Sequence, residues 1–331
     1  MKRLSVLALL MAVSVASFAA GLGTRATVAL FSDQETITSS VGSAGCFAND
    51  AGAPTIDALV MSKTVPYYGG YIREGGAYYV YARVTPLSGT VSRVTADVRP
   101  INAGQYLVPL VAGSYSVGGV AYGYRSATLT TPSPLAAGTY SYSISAADDA
   151  LRCRTASSTV VVDNTAPTGT DVQAENKPGG GGPAGTVGRP EPSDTLTYTF
   201  SEVIDPQSIL AGWTGAATNV VVVLEDSGVN DLVYVRNAAN TVQLPLGSIQ
   251  TKANLTIINQ TFGLTNSPST MAMSGSTITV TLGSASDPSS MRTDTANTTM
   301  IWTPSATPTD RAGNASTTTN VNESGAASPE F

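Results

Sequence analysis

A strict two-residue alternation is the feature that most constrains this chain. In Tyr140–Ala146, which reads YSYSISA, the two tyrosines, Ile144 and Ala146 fall on one side and the serines on the other. Successive side chains of a β-strand point to opposite faces of its sheet, so this pattern predicts a strand with one buried face. Val91–Val98 alternates in the same way, with Val94, Ala96 and Val98 on the buried side.

Turn residues separate such strands about every ten residues, a spacing typical of β-sandwiches. Examples are Pro86–Gly89 and Pro132–Pro134. The sequence therefore predicts an all-β fold made of two tandem immunoglobulin-like β-sandwich domains after an N-terminal signal helix. Further strands are predicted at Ala77–Val84, Leu107–Val111, Val120–Tyr124, Thr195–Phe200, Val220–Leu224, Asp231–Val235, Ile257–Ile258, Ser276–Leu282 and Thr299–Thr303.

The stretch Thr159–Pro167, which reads TVVVDNTAP, indicates the boundary between the two domains. Asp205 followed by Pro206 suits a helix N-cap and first helical residue, so a short helix is expected near 206–212. The predicted divisions are a signal peptide at 1–29, an N-terminal strand and linker at 30–53, domain 1 at 54–166, domain 2 at 167–320 and a disordered tail at 321–331.

The N-terminus has the pattern of an export signal. Met1–Arg3 is a short basic region, and Leu4–Leu22 carries no charge. Small residues follow, with cleavage predicted after Ala29. The run is also just long enough to act as an uncleaved anchor, which would be the chain's only contact with a membrane. We expect an extracellular or cell-surface protein.

The composition excludes several classes of function. Charged residues make up 12% of the chain, with 17 Lys and Arg against 23 Asp and Glu, for a net charge of −6. Nucleic acid is therefore not an expected partner, because phosphate binding needs a basic face. The chain contains no histidine, which removes Ser-His-Asp catalysis and most catalytic zinc sites.

The chain has two cysteines, Cys46 and Cys153. In an exported protein such a pair predicts a disulfide, which would close a long loop and stabilise the fold by up to ~4–5 kcal/mol. The alternative is two buried thiols.

The segment after the hydrophobic run resembles the start of SipW-type exported proteins, the class that includes the TasA and camelysin matrix fibres. The matching residues are Gly23-Thr24, Ala29, Phe31 and Asp33, while Arg25 departs from the usual apolar continuation. The resemblance covers about the first forty residues. It implies export by a dedicated signal peptidase and suggests a matrix or fibre role.

Two later motifs resemble bacterial immunoglobulin-like domains of the Big and SbsA-like type. These are FSEVIDPQSI at Phe200–Ile209 and the closing segment Ala306–Asn314. VDNTAP at Val162–Pro167 is similar to the junction between such domains in surface proteins. Together the motifs lie within residues 54–320, and the resemblance implies a fold without enzymatic activity.

Carboxylates are the only candidate acid–base groups. Glu202 and Asp205 lie in one motif, and Glu225, Asp226 and Asp231 flank a predicted hairpin. A pair at a suitable separation could hydrolyse a glycoside. These positions also read as strand ends and caps, so no catalytic residue is predicted.

Calcium is the cofactor that the loops could hold, although none is predicted firmly. Asp163, Asn164, Asp171, Asp310 and Asn314 offer hard oxygen ligands near the boundary between the domains. The competing interpretation is that these side chains form hydrogen bonds within their own turns.

The predicted function is that of an exported, non-enzymatic structural or adhesive protein. Its partners would be proteins or glycans at the cell surface, or further copies of itself. One alternative is a fibre subunit that polymerises by donating the strand Phe31–Val41 to a neighbour. The other is a secreted carbohydrate-binding or glycan-hydrolysing module, for which the tyrosine-rich segment Tyr67–Tyr81 would provide a binding surface.

Overall fold

A computed structural model describes residues 50–65, 67–177 and 185–331, and this part of the chain is almost entirely β-structure in two sheets. The predicted signal peptide, the cleavage site after Ala29 and the strand Phe31–Val41 lie outside the described residues. Among the helices that the described residues form, none has the length and apolar character needed to cross a membrane.

The first sheet contains nine strands, and all its pairs are antiparallel except β2 with β9. Its order is β1-β3-β6-β5-β4-β8-β9-β2, with β7 paired to β3. The strands are β1 Thr55–Lys63, β2 Tyr71–Ile72, β3 Ala77–Thr85, β4 Val91–Asp97, β5 Val108–Val117, β6 Val120–Ser126, β7 Leu129–Thr130, β8 Gly138–Asp148 and β9 Cys153–Val162.

The alternation seen in the sequence explains the core of this sheet. In β8 the inward side chains of Tyr142, Ile144 and Ala146 are at most 2% exposed, as predicted. They pack in one cluster with Met61 of β1 and Val80 of β3. Strands from both ends of the sheet order therefore share one apolar core, which gives the sheet a sandwich-like fold.

The second sheet contains ten strands in the order β10-β11-β17-β16-β12-β13-β14-β18-β19, with β15 paired to β12. Helix α1 spans Pro206–Ile209, and a short 3-10 turn spans Pro288–Ser290. The strands are β10 Gly169–Glu175, β11 Thr195–Phe200, β12 Thr218–Glu225, β13 Leu232–Asn237, β14 Ser248–Gln250, β15 Gln260–Phe262, β16 Ser269–Ser274, β17 Thr277–Thr281, β18 Ile301–Thr303 and β19 Val321–Asn322.

Trp302 on β18 lies at the centre of the second core and is fully buried. Tyr198 and Phe200 of β11 contact its ring edge-on, with centroids 5.3 and 5.0 Å away. Its indole N–H donates to the carbonyl of Leu246 at 2.7 Å, so the polar edge of the ring is satisfied inside the core.

Two sequence expectations differ from the structure. Ile257 and Ile258 are 47% and 48% exposed and lie in a bend, and the strand of this segment is β15 instead. Residues 321–331, expected to be a disordered tail, contain β19 and carry Phe331 into the core at 3% exposure. Val321 is buried in the same core, so two apolar residues anchor a segment whose composition is otherwise polar.

The break between the two sheets falls after Val162 and before Gly169. At the other end of β9, the Asp50 N–H donates to the Cys153 carbonyl at 3.0 Å, and the Cys153 N–H donates to Asp50 Oδ2 at 2.8 Å. The chain four residues after Cys46 is thereby held against Cys153. Cys46 itself lies outside the described residues, and the disulfide stays a prediction.

Candidate functional site at the junction of the two sheets

The two motifs of the second sheet meet each other beside the end of the first sheet. Ile204 forms an isolated β-bridge with Asp310, and the Asp205 N–H donates to the Thr309 carbonyl at 2.7 Å. The Asp163 N–H, just after β9, donates to the carbonyl of Ile72 in β2 at 2.9 Å. The first two contacts bring the loop after β11 against the closing turn near 310. Asn314 of that turn also contacts Asp163, so the end of the first sheet lies in the same region, which we call the junction.

A buried ion pair crosses the junction. Lys63 Nζ, at the end of β1, lies 2.7 Å from Asp205 Oδ2, and the two side chains are 12% and 3% exposed. Lys63 also donates to the Asp310 carbonyl at 2.9 Å and to Thr309 Oγ1 at 3.3 Å. All three donor positions of the ammonium group are thus used by the second sheet.

Asp205 has a second role that the sequence predicted. Its Oδ1 accepts the N–H of Gln207 at 3.0 Å, so it is the N-cap of helix α1, with Pro206 as the first helical residue. One carboxylate therefore starts the helix and anchors the first sheet.

Three further contacts join the sheets. The hydroxyl of Tyr67 donates to the Thr214 carbonyl at 2.8 Å, and Asn314 Nδ2 donates to the Asp163 carbonyl at 2.8 Å. The guanidinium carbon of Arg311 lies 4.1 Å from the centre of the Tyr71 ring, a cation–π contact.

The junction also contains three neighbouring carboxylates, those of Asp163, Glu202 and Asp310, which we call the acidic cluster. One oxygen from each lies within 4.8 Å of the other two. Asp163 and Glu202 are half-buried, and Asp310 is 1% exposed. Each sheet contributes to the cluster, because Asp163 follows β9 while Glu202 and Asp310 belong to the second unit.

The hydrogen bonding of the three carboxylates is uneven. Asp310 Oδ1 accepts the N–H groups of Gly313 at 2.6 Å and Asn314 at 2.7 Å, and its Oδ2 accepts Asn314 Nδ2 at 2.8 Å. Asp163 Oδ1 accepts the Thr165 N–H at 3.0 Å. Within the described part of the chain, the Glu202 carboxylate accepts no comparable bond.

Burial raises the pKa of Glu202 to about 7. The negative charges of Asp310 and Asp163 add to the increase in this pKa, while the positive charge of Arg311 opposes it. Glu202 therefore changes its charge near neutral pH. The acidic cluster carries a repulsion that the ion pair of Lys63 and Asp205 does not.

Only some of the predicted calcium ligands come together. Asp163, Asp310 and Asn314 lie at the junction, but Asn164 is occupied elsewhere. Its Oδ1 accepts the Glu74 N–H at 2.8 Å, and its Nδ2 donates to the Leu135 carbonyl at 2.7 Å.

Asp171 lies on β10, outside the acidic cluster. It accepts the Ser324 N–H at 2.8 Å and Gln173 Nε2 at 3.1 Å, which joins β10 to the segment after β19. Asp171 thus fastens the second unit to its own C-terminal segment.

Glu202 is the cluster residue that the calcium hypothesis missed. The sequence indicates Glu202 only as an acid–base candidate beside Asp205. A signal was present, because Glu202 lies in the motif whose neighbour Ile204 bridges to Asp310. The contact between that motif and the closing turn is a long-range one, which local patterns do not reveal.

The remaining acid–base candidates serve the hairpin that they flank. Asp231 is fully buried and accepts the N–H groups of Ser227, Leu255 and Thr256 at 3.0, 2.7 and 3.0 Å. Asp226 Oδ1 accepts the Gly228 N–H at 3.1 Å. These carboxylates organise loops, which is the structural interpretation that the sequence also allowed.

The tyrosine-rich segment divides between the core and a ring cluster. Tyr78 is fully buried, whereas Tyr81 packs against Tyr115 and Tyr122 in a smaller cluster. The guanidinium of Arg125 lies over the ring of Tyr79, 4.1 Å from its centre. Most of these rings pack against protein rather than forming an open binding face.

The arrangement defines an all-β protein of two sheets joined by a polar junction. Three carboxylate oxygens near each other could bind a hard cation such as Ca²⁺ or share a proton. A scan against models of protein families finds no match for this chain, and a search of curated proteins finds no similar protein.

Proposed function

We propose that this chain is an exported, non-enzymatic structural or adhesive protein of the cell surface or extracellular matrix. It is built from two immunoglobulin-like sandwiches, at about 54–166 and 167–320, that are held in one fixed arrangement. The observation that carries the proposal is the buried ion pair of Lys63 and Asp205 across the junction. A protein that bears load or presents a surface needs its domains in a fixed arrangement. Two domains that are connected only by a flexible linker would lack such an arrangement.

The use of the carboxylates supports a non-enzymatic role. A general base must be free to take up a proton from the substrate. Asp205 is instead paired with Lys63 and caps a helix, and Asp231 accepts three backbone N–H groups. Neither of these two carboxylates is free, which leaves Glu202 as the candidate that a glycan-hydrolysing alternative would have to use.

Export is supported by the N-terminal pattern and by the contact of Asp50 with Cys153. That contact brings the chain near Cys46 to β9, as the predicted disulfide requires. Mass spectrometry of the protein recovered from the surface or medium of the producing cells tests both points together. The proposal predicts a chain that begins near Leu30 and contains linked Cys46 and Cys153 peptides. An uncleaved cytoplasmic chain with two reduced cysteines would contradict it.

The fibre alternative gains support from the same contact. Asp50 is held at the end of β9, which belongs to the first sheet. Residues 42–49 would connect a donated strand Phe31–Val41 to this point. Negative-stain microscopy of the mature protein at high concentration distinguishes the two states, since fibres support donation and monodisperse particles oppose it.

A further inference from the structure

A cavity of about 350 Å³ lies between the two sheets, beside the ion pair of Lys63 and Asp205. Lys63, Arg73 and Ala77 line it from the first sheet, and helix α1 and the closing turn line it from the second. Its volume is at the small end of the range of about 300–1,000 Å³ for ligand pockets. A ligand that fits here would touch both units at once.

Arg73 is the unpaired cation of this cavity. The ion pairs of the described residues include Lys63 with Asp205 but none that uses Arg73. The residue is exposed, and among the described residues its guanidinium donates one hydrogen bond, to the neighbouring Glu74 carbonyl at 3.5 Å. A guanidinium presents five N–H donors in a flat fork that matches a carboxylate, so most of its capacity is open to a ligand.

The closing turn keeps Arg73 and Lys63 together. Gly313 has a φ of +99°, and a Cβ placed on it would lie 3.5 Å from Lys63 Cδ and 3.8 Å from Arg73 Nε. The stems of both cations therefore flank the same turn. Lys63 is neutralised by Asp205, so the wall carries one net positive charge from Arg73.

Neutral polar groups complete the lining. Thr64 and Gln207 line the cavity. Within the part of the chain that the structure describes, their side chains form no hydrogen bond. Val65, Ala77 and Ala312 add apolar surface. The lining residues that the structure describes include no aromatic ring, which disfavours a ligand bound by ring stacking.

We infer that this cavity binds a uronic acid residue of an acidic polysaccharide, with its carboxylate on Arg73 and its hydroxyl groups on Thr64 and Gln207. A single cation suits a monoanion. Inorganic phosphate could pair with Arg73, but it has no sugar hydroxyl groups to place on Thr64 and Gln207. This ligand goes beyond the proposed structural role, because binding requires neither export nor assembly.

Isothermal titration of the full chain with tri-galacturonate tests the inference. We expect saturable binding, with maltotriose and inorganic phosphate each at least about tenfold weaker, because each lacks half of the recognised chemistry. Arg73→Ala should weaken tri-galacturonate binding by about tenfold or more, and Arg73→Lys should recover only part of it, since a lysine lacks the fork.

Arg93→Ala is the matched control, because Arg93 is an exposed arginine on β4 outside the cavity lining. It removes the same charge and should leave the affinity unchanged. Thermal melting of each variant shows that the fold is intact. The inference is overturned if wild-type protein does not bind tri-galacturonate, if phosphate binds as tightly, or if Arg73→Ala and Arg93→Ala bind alike. A lack of uronate binding in an exported, rigid protein would leave the proposed function standing.

Discussion

The ion pair and the acidic cluster handle buried charge at the junction in opposite ways. In the ion pair, the charge of Asp205 is matched by Lys63 at 2.7 Å, and the ammonium group is fully hydrogen bonded. In the acidic cluster, Asp163, Glu202 and Asp310 bring three carboxylates together within 4.8 Å. The ion pair is complete within the protein, whereas the acidic cluster is stabilised by protons or cations from the solution.

The difference shows where the arrangement of the sheets is permanent and where it responds to conditions. A buried pair with complete hydrogen bonding resists separation, because either partner left alone pays the cost of desolvation. A group of like charges favours any partner that reduces the repulsion. Each prediction below removes or supplies one partner of the ion pair or of the acidic cluster.

The largest effect is expected from Lys63→Met, which leaves Asp205 buried without its cation. We expect the free energy of unfolding of the protein to fall by about 3–5 kcal/mol. Chemical denaturation of the wild type and the variant measures it. Lys177→Met is the control, because Lys177 pairs with Glu175 at an exposed site and should cost less than about 1 kcal/mol. Equal effects of the two substitutions would show that the ion pair of Lys63 and Asp205 stabilises the fold no more than an exposed ion pair does.

The regular parts of this fold follow from the sequence. The alternation of Tyr140–Ala146 gives β8 its buried face, and Asp205-Pro206 begins helix α1. Both depend on residues close together in the chain. The prediction of a strand at Ile257 and Ile258 was wrong. Two adjacent isoleucines suggest burial, but burial depends on which distant residues pack against the segment.

The acidic cluster was only half predictable. The sequence indicates Asp163 and Asp310 as oxygen ligands in loops. It indicates Asn164 and Asp171 equally, but these two bind backbone groups elsewhere. Glu202 joins the cluster through a contact more than a hundred positions away along the chain. Residue type and turn position identify possible ligands, whereas only the folded arrangement decides which of them meet.

A smaller effect is expected from Ca²⁺. If the acidic cluster binds it as weakly as extracellular calcium modules do, about 10 mM Ca²⁺ should stabilise the protein by about 1–3 kcal/mol. Calorimetric melting with Ca²⁺ and with a chelator measures this. The variant Asp163→Asn should lose most of the response, whereas Asp171→Asn should keep it. A melting temperature that is the same with Ca²⁺ and chelator would remove calcium from the account.

The smallest effect is expected from Glu202→Gln. Because the pKa of Glu202 is raised to about 7 in the folded protein from an ordinary 4.5, its contribution favours folding at low pH. That contribution is lost as the pH rises from about 4.5 to about 7.

The variant should therefore melt up to ~2 °C higher than wild type at pH 8 and at the same temperature at pH 4. The difference between the two proteins is the quantity to follow, since burial also raises the pKa of Glu330 to about 8 and affects both proteins equally. A variant that is less stable at pH 8 would show that Glu202 stabilises the junction as a carboxylate.

The central claim is that the junction holds the two sheets in one fixed arrangement. Backbone ¹⁵N relaxation of the labelled protein measures it directly, because rigidly joined units tumble together. The account predicts one rotational correlation time for strands of both sheets in the wild type, and shorter, separate times for the two units in Lys63→Met. Separate times in the wild type at neutral pH would contradict it.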